Sequence, residues 1–282
     1  MSDQILQQIG QIAHYTANRT DYALQLELAR FWADEIATPR NADPKRLLRH
    51  GFKVFSQGDE DGIIQEIFNR IGTTNRTFIE FGVQSGVECN TVKLLLEGWR
   101  GLWIDGLATN VANIRTNFAV FVNDGRLRTV EAFINAENIN ALFEQGGVTG
   151  DIDFLSIDID RNDYWVWKAI EVVKPRVVAI EYNATLRPPL SLVVPYDPHA
   201  IWNGTSYFGA SLEALTRLGR EKGYRLVGCN FSGANAFFVR NEDAGDHFFD
   251  PATSEELYEP PRYFFSMLTA GHRPQPGPFV TV

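Results

Sequence analysis

Residues that can bind a ligand through both side chains and backbone follow an apolar run in the first third of the chain. Residues 78–86 read Phe-Ile-Glu-Phe-Gly-Val-Gln-Ser-Gly, which places Glu80 near the end of the run. Glycine allows a positive φ and lets a ligand approach the backbone closely. The spacing G-x-x-x-G differs from the G-x-G-x-x-G that binds a dinucleotide pyrophosphate. We therefore predict that a cofactor with an amino group binds here; the alternative is a turn with two incidental glycines. The predicted cofactor contacts are Glu80, Gly82, Ser85 and Gly86.

An acidic residue follows this turn at a sequence separation that is typical of acids that bind a ribose. Asp105 lies 25 positions after Glu80, at the end of the run Leu-Trp-Ile-Asp. An acid about 20 residues past a glycine-rich turn can accept hydrogen bonds from ribose hydroxyls. The alternative role for Asp105 is a helix cap or turn former. After the next apolar run, Glu131 would accept from an adenine amino group, and Ala132 and Phe133 would form an apolar wall. An exposed glutamate at that position would also be ordinary.

Two further groups of polar residues end the fourth and fifth apolar runs. Asp158 and Asp160 are two positions apart, as are Glu181 and Asn183. In extended conformation, the members of each pair share one face of their strand. Carboxylate and amide oxygens suit a hard divalent cation such as Mg²⁺, which would lower the pKa of a hydroxyl bound to it. We therefore predict these four residues as metal ligands, with Asp158 also close to the cofactor.

Without a metal, the same carboxylates predict a different chemistry. Neighbouring carboxylates raise one another's pKa, so Asp160 or Glu181 would then act as the general base that takes a proton from the substrate. A structural role is the third alternative, because Asp163 is well placed to cap the following helix and Asp158 could orient loop amides.

A long connection follows the fifth apolar run. Residues 186–208 contain prolines, aromatic residues and His199. Ordinary connections between strands and helices have about 2–6 residues, so one of this length is usually functional. We predict a lid that covers the substrate and leaves the cofactor outside it. His199 is a further candidate for the base, although a single loop histidine more often lies on the surface.

Alternating strand and helix patterns must position these residues. The last two predicted strands are separated by only residues 231–235, too few for a crossover helix, so they must pair as an antiparallel hairpin. The predicted fold is therefore α/β, a seven-stranded Rossmann-like methyltransferase sheet with a terminal antiparallel β-hairpin and an N-terminal helical cap. A nicotinamide-binding domain would continue with parallel strands instead. The predicted strands are 77–81, 101–105, 127–131, 154–158, 176–182, 224–230 and 236–240, and the predicted helices include 87–97, 164–173 and 211–222.

Three parts are predicted along the chain. Residues 1–50 form an N-terminal helical extension whose pattern breaks at Pro39 and Pro44. Residues 51–240 form the domain that carries the sheet. Residues 241–282 are rich in proline and aromatic residues and are expected to pack on that domain without regular structure.

Composition restricts the partners. The 282 residues carry a formal net charge of −9 without a Lys/Arg run, which disfavours nucleic acid. Cys89 and Cys229 form no CxxC pair and fit a reducing compartment. The N-terminus has no signal-peptide pattern, and no apolar run is long enough to span a bilayer. We expect a cytoplasmic protein with a small-molecule substrate and no membrane partner, and the N-terminal helices could form a homo-oligomer.

Several motifs resemble those of FkbM-type methyltransferases over about residues 50–185. Ser56–Ile64 is similar to the S-Q-x-x-E-D-G-I-I segment of that family, and the runs around Glu80, Asp105 and Asp158 fall where its other motifs fall. The resemblance implies a class I methyltransferase fold, S-adenosyl-L-methionine as cofactor, and O-methylation of sugar or natural-product hydroxyls. It also implies that Gln57 contacts the cofactor. Arg161 stands where members of the family commonly carry glycine, a departure that concerns the substrate.

Residues and resemblance together favour an S-adenosylmethionine-dependent methyltransferase that acts on a hydroxyl of a small polar molecule, with or without a divalent metal. The alternative is a methyltransferase-like fold that serves as a non-catalytic binding or assembly module. Glu80, Gly82 and Asp105 are all present, which favours the enzyme. The glycine spacing and the terminal hairpin disfavour a dehydrogenase.

Overall fold

Apolar strands, buried on both faces, form a seven-stranded sheet. The order is β3-β2-β1-β4-β5-β8-β7, with β1 to β5 parallel. These bounds come from a computed structural model, which describes residues 22–265 and 271–282. The strands are β1 Thr77–Phe81, β2 Arg100–Asp105, β3 Leu127–Glu131, β4 Gly150–Ile157, β5 Val173–Glu181, β7 Tyr224–Cys229 and β8 Asn235–Arg240.

The terminal hairpin is confirmed. Strand β8 pairs antiparallel with β7 and also with β5, so it lies between them. The sheet is therefore the predicted seven-stranded Rossmann-like methyltransferase sheet. Its order reverses between β1 and β4, and in open α/β sheets ligands bind beyond the carboxyl ends of the strands at such a point.

The helices differ from the predictions at their ends. The predicted helix 87–97 was too long, because the chain from Gly82 to Thr91 is a loop and α3 begins only at Val92. The predicted helix 164–173 ends at Ala169, since β5 already begins at Val173. The helices are α1 22–36, α2 Glu60–Ile71, α3 Val92–Leu96, α4 Ala108–Asn117, α5 Ala119–Asn123, α6 Ile139–Gln145, α7 Asp163–Ala169, α8 Leu212–Glu221, α9 Asn241–Ala244 and α10 Ser254–Leu257.

Two compact units divide between Pro44 and Lys45. The first includes α1, which is helical as predicted over 22–36; the part of the predicted extension before residue 22 lies outside the described residues. The second contains the whole sheet. Within the described residues, no helix is both long and apolar enough to cross a bilayer.

Successive side chains of the central strands point to opposite faces of the sheet. In β1, Phe78 joins the apolar cluster on one face and Ile79 joins the cluster on the other. Both faces are covered, as expected for parallel strands whose connections place helices on each side. Ser211 caps amphipathic α8, and its hydroxyl accepts a hydrogen bond from Ala214 N.

The prediction that residues 241–282 lack regular structure was wrong. Besides α9 and α10, this segment contains β9, Val280–Thr281, which pairs antiparallel with β6, Leu192–Val193. Strand β6 belongs to the long connection after β5. The sequence signal was weak because each strand has only two residues.

A buried ion pair joins the beginning of the sheet to the turn before β1. The Asp153 carboxylate on β4 accepts hydrogen bonds from the backbone N–H groups of Thr74, Asn75 and Arg76. Arg176 on β5 lies 3.1 Å from Asp153 and also donates to the Gly72 carbonyl oxygen. Both side chains are buried. Burial alone would raise the pKa of Asp153, but these donors outweigh it and lower the pKa.

We expect Asp153→Asn to lower the free energy of unfolding by about 3 kcal/mol, because it removes the buried negative charge that Arg176 and three backbone N–H groups bind. Arg176 then keeps only its ion pair with Asp243, at 2.9 Å. Asp151→Asn, two residues away, is the matched control. Asp151 is exposed, and its pair with Arg240 should contribute at most about 1 kcal/mol. Urea unfolding measures both; equal losses in the two variants would contradict the role given to Asp153.

Candidate functional site

The turn after β1 lies against the chain that leaves β4. Gly82 has a φ of 78°, and a Cβ at this position would lie 1.6 Å from the carbonyl oxygen of Asp158. No L side chain fits there. The glycine is therefore required by a close backbone approach, as predicted, although the group that approaches is Asp158.

A cavity of about 440 Å³ opens on one side of Gly82, and we call it the Glu80 cavity. The structure thus brings five predicted cofactor residues to one place. Gly86 is not among them: its backbone is buried, and a Cβ there would meet the Trp103 ring at 2.7 Å. That glycine is needed for packing. The lining includes Gln57, Glu80, Gly82, Ser85, Asn90, Asp158 and Asn235.

Glu80 has hydrogen-bond partners within the chain. Its carboxylate accepts from Asn90 N at 2.8 Å, Thr91 N at 3.0 Å and the Thr91 hydroxyl at 2.5 Å. Burial raises its pKa to about 7 despite these donors. Glu80 therefore holds the start of α3 as well as lining the cavity.

The segment Ser56–Ile64 holds Gln57 at the cavity. One Asp61 oxygen accepts from the N–H groups of Val54, Phe55 and Ser56 at 2.7–2.9 Å. The carboxylate of Asp59 instead accepts from Phe231 N, in the loop between β7 and β8. Helix α2 begins at Glu60, and the Asp59 side chain makes no capping hydrogen bond to it.

A second cavity of about 420 Å³, the Asp105 cavity, lies on the other side of Gly82, which lines both. Asp105 is buried and accepts from Gln84 N, Leu107 N and Asn110 Nδ2 at 2.8–2.9 Å. It therefore ties the glycine-rich turn to the end of β2. The lining includes Asp105, Ala132, Phe133, Asp160, His199 and Trp202.

Glu131 does not lie where the adenine prediction placed it. Its side chain is exposed at the end of β3 and lines neither cavity. Phe133 does line the Asp105 cavity, and it is 63% exposed there. Ala132 and Phe133 thus line a cavity, whereas alternation along the strand points Glu131 away from it.

The connection after β5 meets the Asp105 cavity through its tip, residues 198–202. The tip of the connection therefore lies in the same cavity as Asp105, the residue predicted to bind a ribose. The segment 271–282 fastens it: Ser206 N donates to the Arg273 carbonyl oxygen at 3.0 Å, and β9 pairs with β6.

One aromatic group here was not foreseen from the sequence. The His272 ring contacts the rings of Trp202 and Tyr263, both with centroids 4.9 Å away, and that of Phe208. Burial lowers the pKa of His272, so its ring is neutral at pH 7. It lies about 70 residues from Trp202 in the sequence, and no spacing rule joins such distant residues.

Three carboxylates converge beyond the ends of β4 and β5. We call Asp158, Asp163 and Glu181 the carboxylate cluster. Each contributes one carboxylate oxygen, and these three oxygens lie within 4.8 Å of one another. Asp163 Oδ1 accepts from Ile159 N at 2.8 Å. The other oxygen of Asp163 and the Oε2 of Glu181 are buried and have no hydrogen-bond partner among the described residues.

Two of the four predicted metal ligands lie outside the cluster. Asn183 is fully buried and donates to the carbonyl oxygens of Ser206 and Phe208, so it supports the long connection. Asp160 has a φ of 63°, because β4 ends at Ile157 and the chain turns. The assumed extended conformation was wrong, and Asp160 lines the Asp105 cavity instead. Asp163, interpreted from the sequence as a cap, takes its place.

The three carboxyl groups of the cluster all have raised pKa values. Burial, and then repulsion by Asp160, raises the pKa of Asp163 to about 7 and that of Asp158 well above its usual range. Burial and the charge of Asp158 do the same for Glu181. The guanidinium of Arg161 makes no ion pair with the cluster among the described residues and lies 5.3 Å from the centre of the Tyr207 ring. Such a group can bind a divalent cation or share protons.

Comparisons with known proteins give likenesses of fold. No protein-family model matches the chain, and no curated protein matches it. An O-methyltransferase from Bacillus cereus in complex with SAH is 14% identical, with a TM-score of 0.41 over 76% of this chain and 87% of that one. An S-adenosylmethionine-dependent methyltransferase from Clostridium acetobutylicum ATCC 824 is 11% identical, with a TM-score of 0.42 over 75% and 98%. The [4+2]-cyclase SpnF is 11% identical, with a TM-score of 0.40 over 64% and 66%. At these values the likenesses assign no activity to this chain.

Stability should depend on pH through the buried carboxyls. Burial, and then repulsion by Glu60, raises the pKa of Asp59 from 3.8 to about 8, and Glu80 and Asp163 titrate near 7. The folded chain keeps these protons at a pH where the unfolded chain has lost them. The free energy of unfolding must therefore fall as pH rises to about 8.

We expect urea midpoints, measured with a chelator present, to decrease between pH 6.5 and 8.5. Asp59→Asn should reduce this slope, because it removes the highest of the three titrations and keeps an acceptor for Phe231 N. A midpoint that stays constant or increases over this range would show that the carboxyls are ionised in the folded chain.

Proposed function

We propose that the chain is an S-adenosylmethionine-dependent methyltransferase that methylates a hydroxyl of a small polar acceptor, such as a sugar or a natural product. One observation carries the proposal: two cavities share Gly82 at the switch point of the sheet, and a buried carboxylate cluster lies beside them. An elongated cofactor with a nucleoside at one end and an amino acid at the other fits two joined cavities of this kind.

The nucleoside is assigned to the Asp105 cavity. A carboxylate offers about four acceptor positions, and Asp105 already accepts three hydrogen bonds. One ribose hydroxyl, rather than two, can therefore bind it. Phe133 presents an exposed ring in the same cavity, which suits the face of an adenine.

The amino-acid end is assigned to the Glu80 cavity. Glu80 accepts hydrogen bonds from Asn90 and Thr91, and it is the carboxylate that would bind an ammonium group in this cavity. Gln57 and Ser85 line this cavity and add neutral polar groups for a carboxylate. A pyrophosphate would instead place its negative charge beside Glu80 and Asp158.

The carboxylate cluster is assigned to the acceptor side. Its carboxylate oxygens are ligands that suit Mg²⁺ or another hard divalent cation. Two of these oxygens have no hydrogen-bond partner among the described residues, and a bound cation would supply the positive charge they need. When bound, the ion would lower the pKa of the acceptor hydroxyl. Asp158, Asp163 and Glu181 would hold it, and Asn183 would position the connection above them.

Methyl transfer forms one oxygen–carbon bond, breaks the sulfur–carbon bond and releases one proton. A carboxylate beside the acceptor is placed to take this proton, and Asp160 and Glu181 are the candidates. His199 lines the Asp105 cavity and is exposed, so it is the weaker candidate. The tip of the connection, residues 198–202, would exclude water from the cofactor.

We expect Asp105→Ala to weaken S-adenosylmethionine binding by about 10- to 150-fold, which corresponds to losing about 1.5–3 kcal/mol of charged hydrogen bonding. Glu131→Ala is the matched control and should bind the cofactor like the wild type, since its side chain lines neither cavity. Isothermal titration calorimetry measures both. If Asp105→Ala binds like the wild type, the ribose assignment is wrong.

We expect chelation to abolish methyl transfer, and added Mg²⁺ or Mn²⁺ to restore it, measured with labelled S-adenosylmethionine and a panel of sugars and phenols. Asp163→Asn and Glu181→Gln should raise the Mg²⁺ concentration required at least about tenfold, as expected when a ligand of a hard cation loses its charge. Asp246→Asn is the control, because Asp246 is exposed and belongs neither to the carboxylate cluster nor to the lining of the two cavities.

Three other outcomes would decide between the alternatives. Activity that survives chelation but is lost in Asp160→Asn or Glu181→Gln would identify a metal-free carboxylate base. Activity unaffected by all of these changes would make the cluster structural. Cofactor binding without transfer to any acceptor of the panel would favour the non-catalytic binding module.

A further inference from the structure

A row of arginines lies at the opposite edge of the sheet, where the parallel strands begin. Arg76 precedes β1, Arg100 begins β2 and Arg126 precedes β3. Arg100 N donates to the Arg76 carbonyl oxygen at 3.0 Å, and Gly101 N donates to the Arg126 carbonyl oxygen at 2.8 Å. Arg100 and Arg126 therefore lie opposite each other on neighbouring strands, about 4.8 Å apart. Arg76 lies one position before Thr77, the residue that pairs with Arg100.

This row of arginines cannot be recognised from the sequence alone. The arginines lie about 25 residues apart, one for each strand–helix repeat, so they form no run of basic residues. Parallel strands start at the same edge of a sheet, and only the fold brings such residues together. The absence of a Lys/Arg run therefore did not predict the local positive charge that the fold creates in this chain.

Beside the row is a cavity of about 310 Å³, which we call the arginine cavity. Arg100, Arg126 and Arg128 line it, together with one carboxylate, that of Asp151. Asp151 already pairs with Arg240 at 2.8 Å. The cavity is therefore clearly positive, although the whole chain carries a net charge of −9.

The guanidinium groups are available to a ligand. Arg100 is exposed, and its side chain makes no hydrogen bond or ion pair within the described parts of the chain. Arg128 donates through Nη1 alone, to the carbonyl oxygens of Gly146 and Gly147, which fixes its position. Arg126 pairs with Asp124, and both side chains are about one-third exposed, so this pair can rearrange.

We propose that the arginine cavity binds a phosphate-bearing small molecule. Arginine offers planar, paired donors that match phosphate oxygens, and this volume is in the range of small-molecule sites. Gly125 also lines the cavity, and nothing lies within 4 Å of the position of a Cβ there, so a ligand can approach the backbone at this residue. The site is separate from both cofactor cavities, because it lies at the amino ends of the strands, and it does not depend on the proposed methyltransferase function.

The test is calorimetric titration of the full chain at low ionic strength with pyrophosphate and, separately, with glucose 1-phosphate. We expect binding of at least one with a Kd below about 1 mM. The double variant Arg100→Gln/Arg126→Gln should weaken it by at least about tenfold, because each lost arginine removes charged hydrogen bonds. Arg220→Gln, an exposed arginine at the end of α8, is the matched control and should bind like the wild type.

Tighter binding of glucose 1-phosphate would identify a phosphate ester as the ligand, and tighter binding of pyrophosphate a free anion; both support the proposal. Equal affinity of the wild type and the double variant, an equal loss in Arg220→Gln, or no binding of either probe would overturn it. Affinity for S-adenosylmethionine, measured on the same samples, should be unchanged in the double variant. That measurement separates a failure here from a failure of the proposed function.

Discussion

The space between the turn after β1 and the chain leaving β4 admits no side chain, and the arrangement of the whole site follows from this constraint. Gly82 meets the backbone of Asp158 where the order of the strands reverses. The contact places the end of β4 beside the glycine-rich turn, so the two cavities open on either side of one residue. It also directs the segment after Asp158 toward the end of β5, where the carboxylate cluster forms.

Most buried carboxylates in this acidic chain hold backbone N–H groups of loops. Asp61, Glu80, Asp105 and Asp153 each accept from at least two such groups. Loops that carry ligand-binding residues are thereby held in place without an apolar core of their own. Asp163 and Glu181 each keep a buried oxygen without a partner in the described residues, as Asp61 does in its loop. What distinguishes Asp163 and Glu181 is that their carboxylates lie close to each other and to that of Asp158.

Local patterns predicted the sheet well. Strands β1 and β3 have the predicted bounds, and the hairpin was correctly inferred from a five-residue connection. Glycine and acidic residues at strand ends also predicted that Glu80 and Asp105 reach the cavities, and the family resemblance predicted the same for Gln57. Errors arose where the backbone left regular conformation. The left-handed φ of Asp160 could not be read from its spacing to Asp158, and the burial of Asn183 depends on carbonyl groups more than 20 residues away. Contacts such as those of His272, or the arginine row, depend on the assembled fold and have no local signature.

The fastening of the long connection by residues 271–282 has a consequence for synthesis of the chain. Asn203 and Gln275, which share a hydrogen bond, are 72 residues apart, and Ser191 and Val282 are 91 apart. At roughly 5–20 residues per second, a ribosome needs on the order of 5–20 s to make the intervening chain. During that interval strand β6 has emerged without β9, and its backbone edge is exposed to other chains in the same polysome. A nascent chain can thus complete its central sheet some seconds before it can close the wall of its Asp105 cavity.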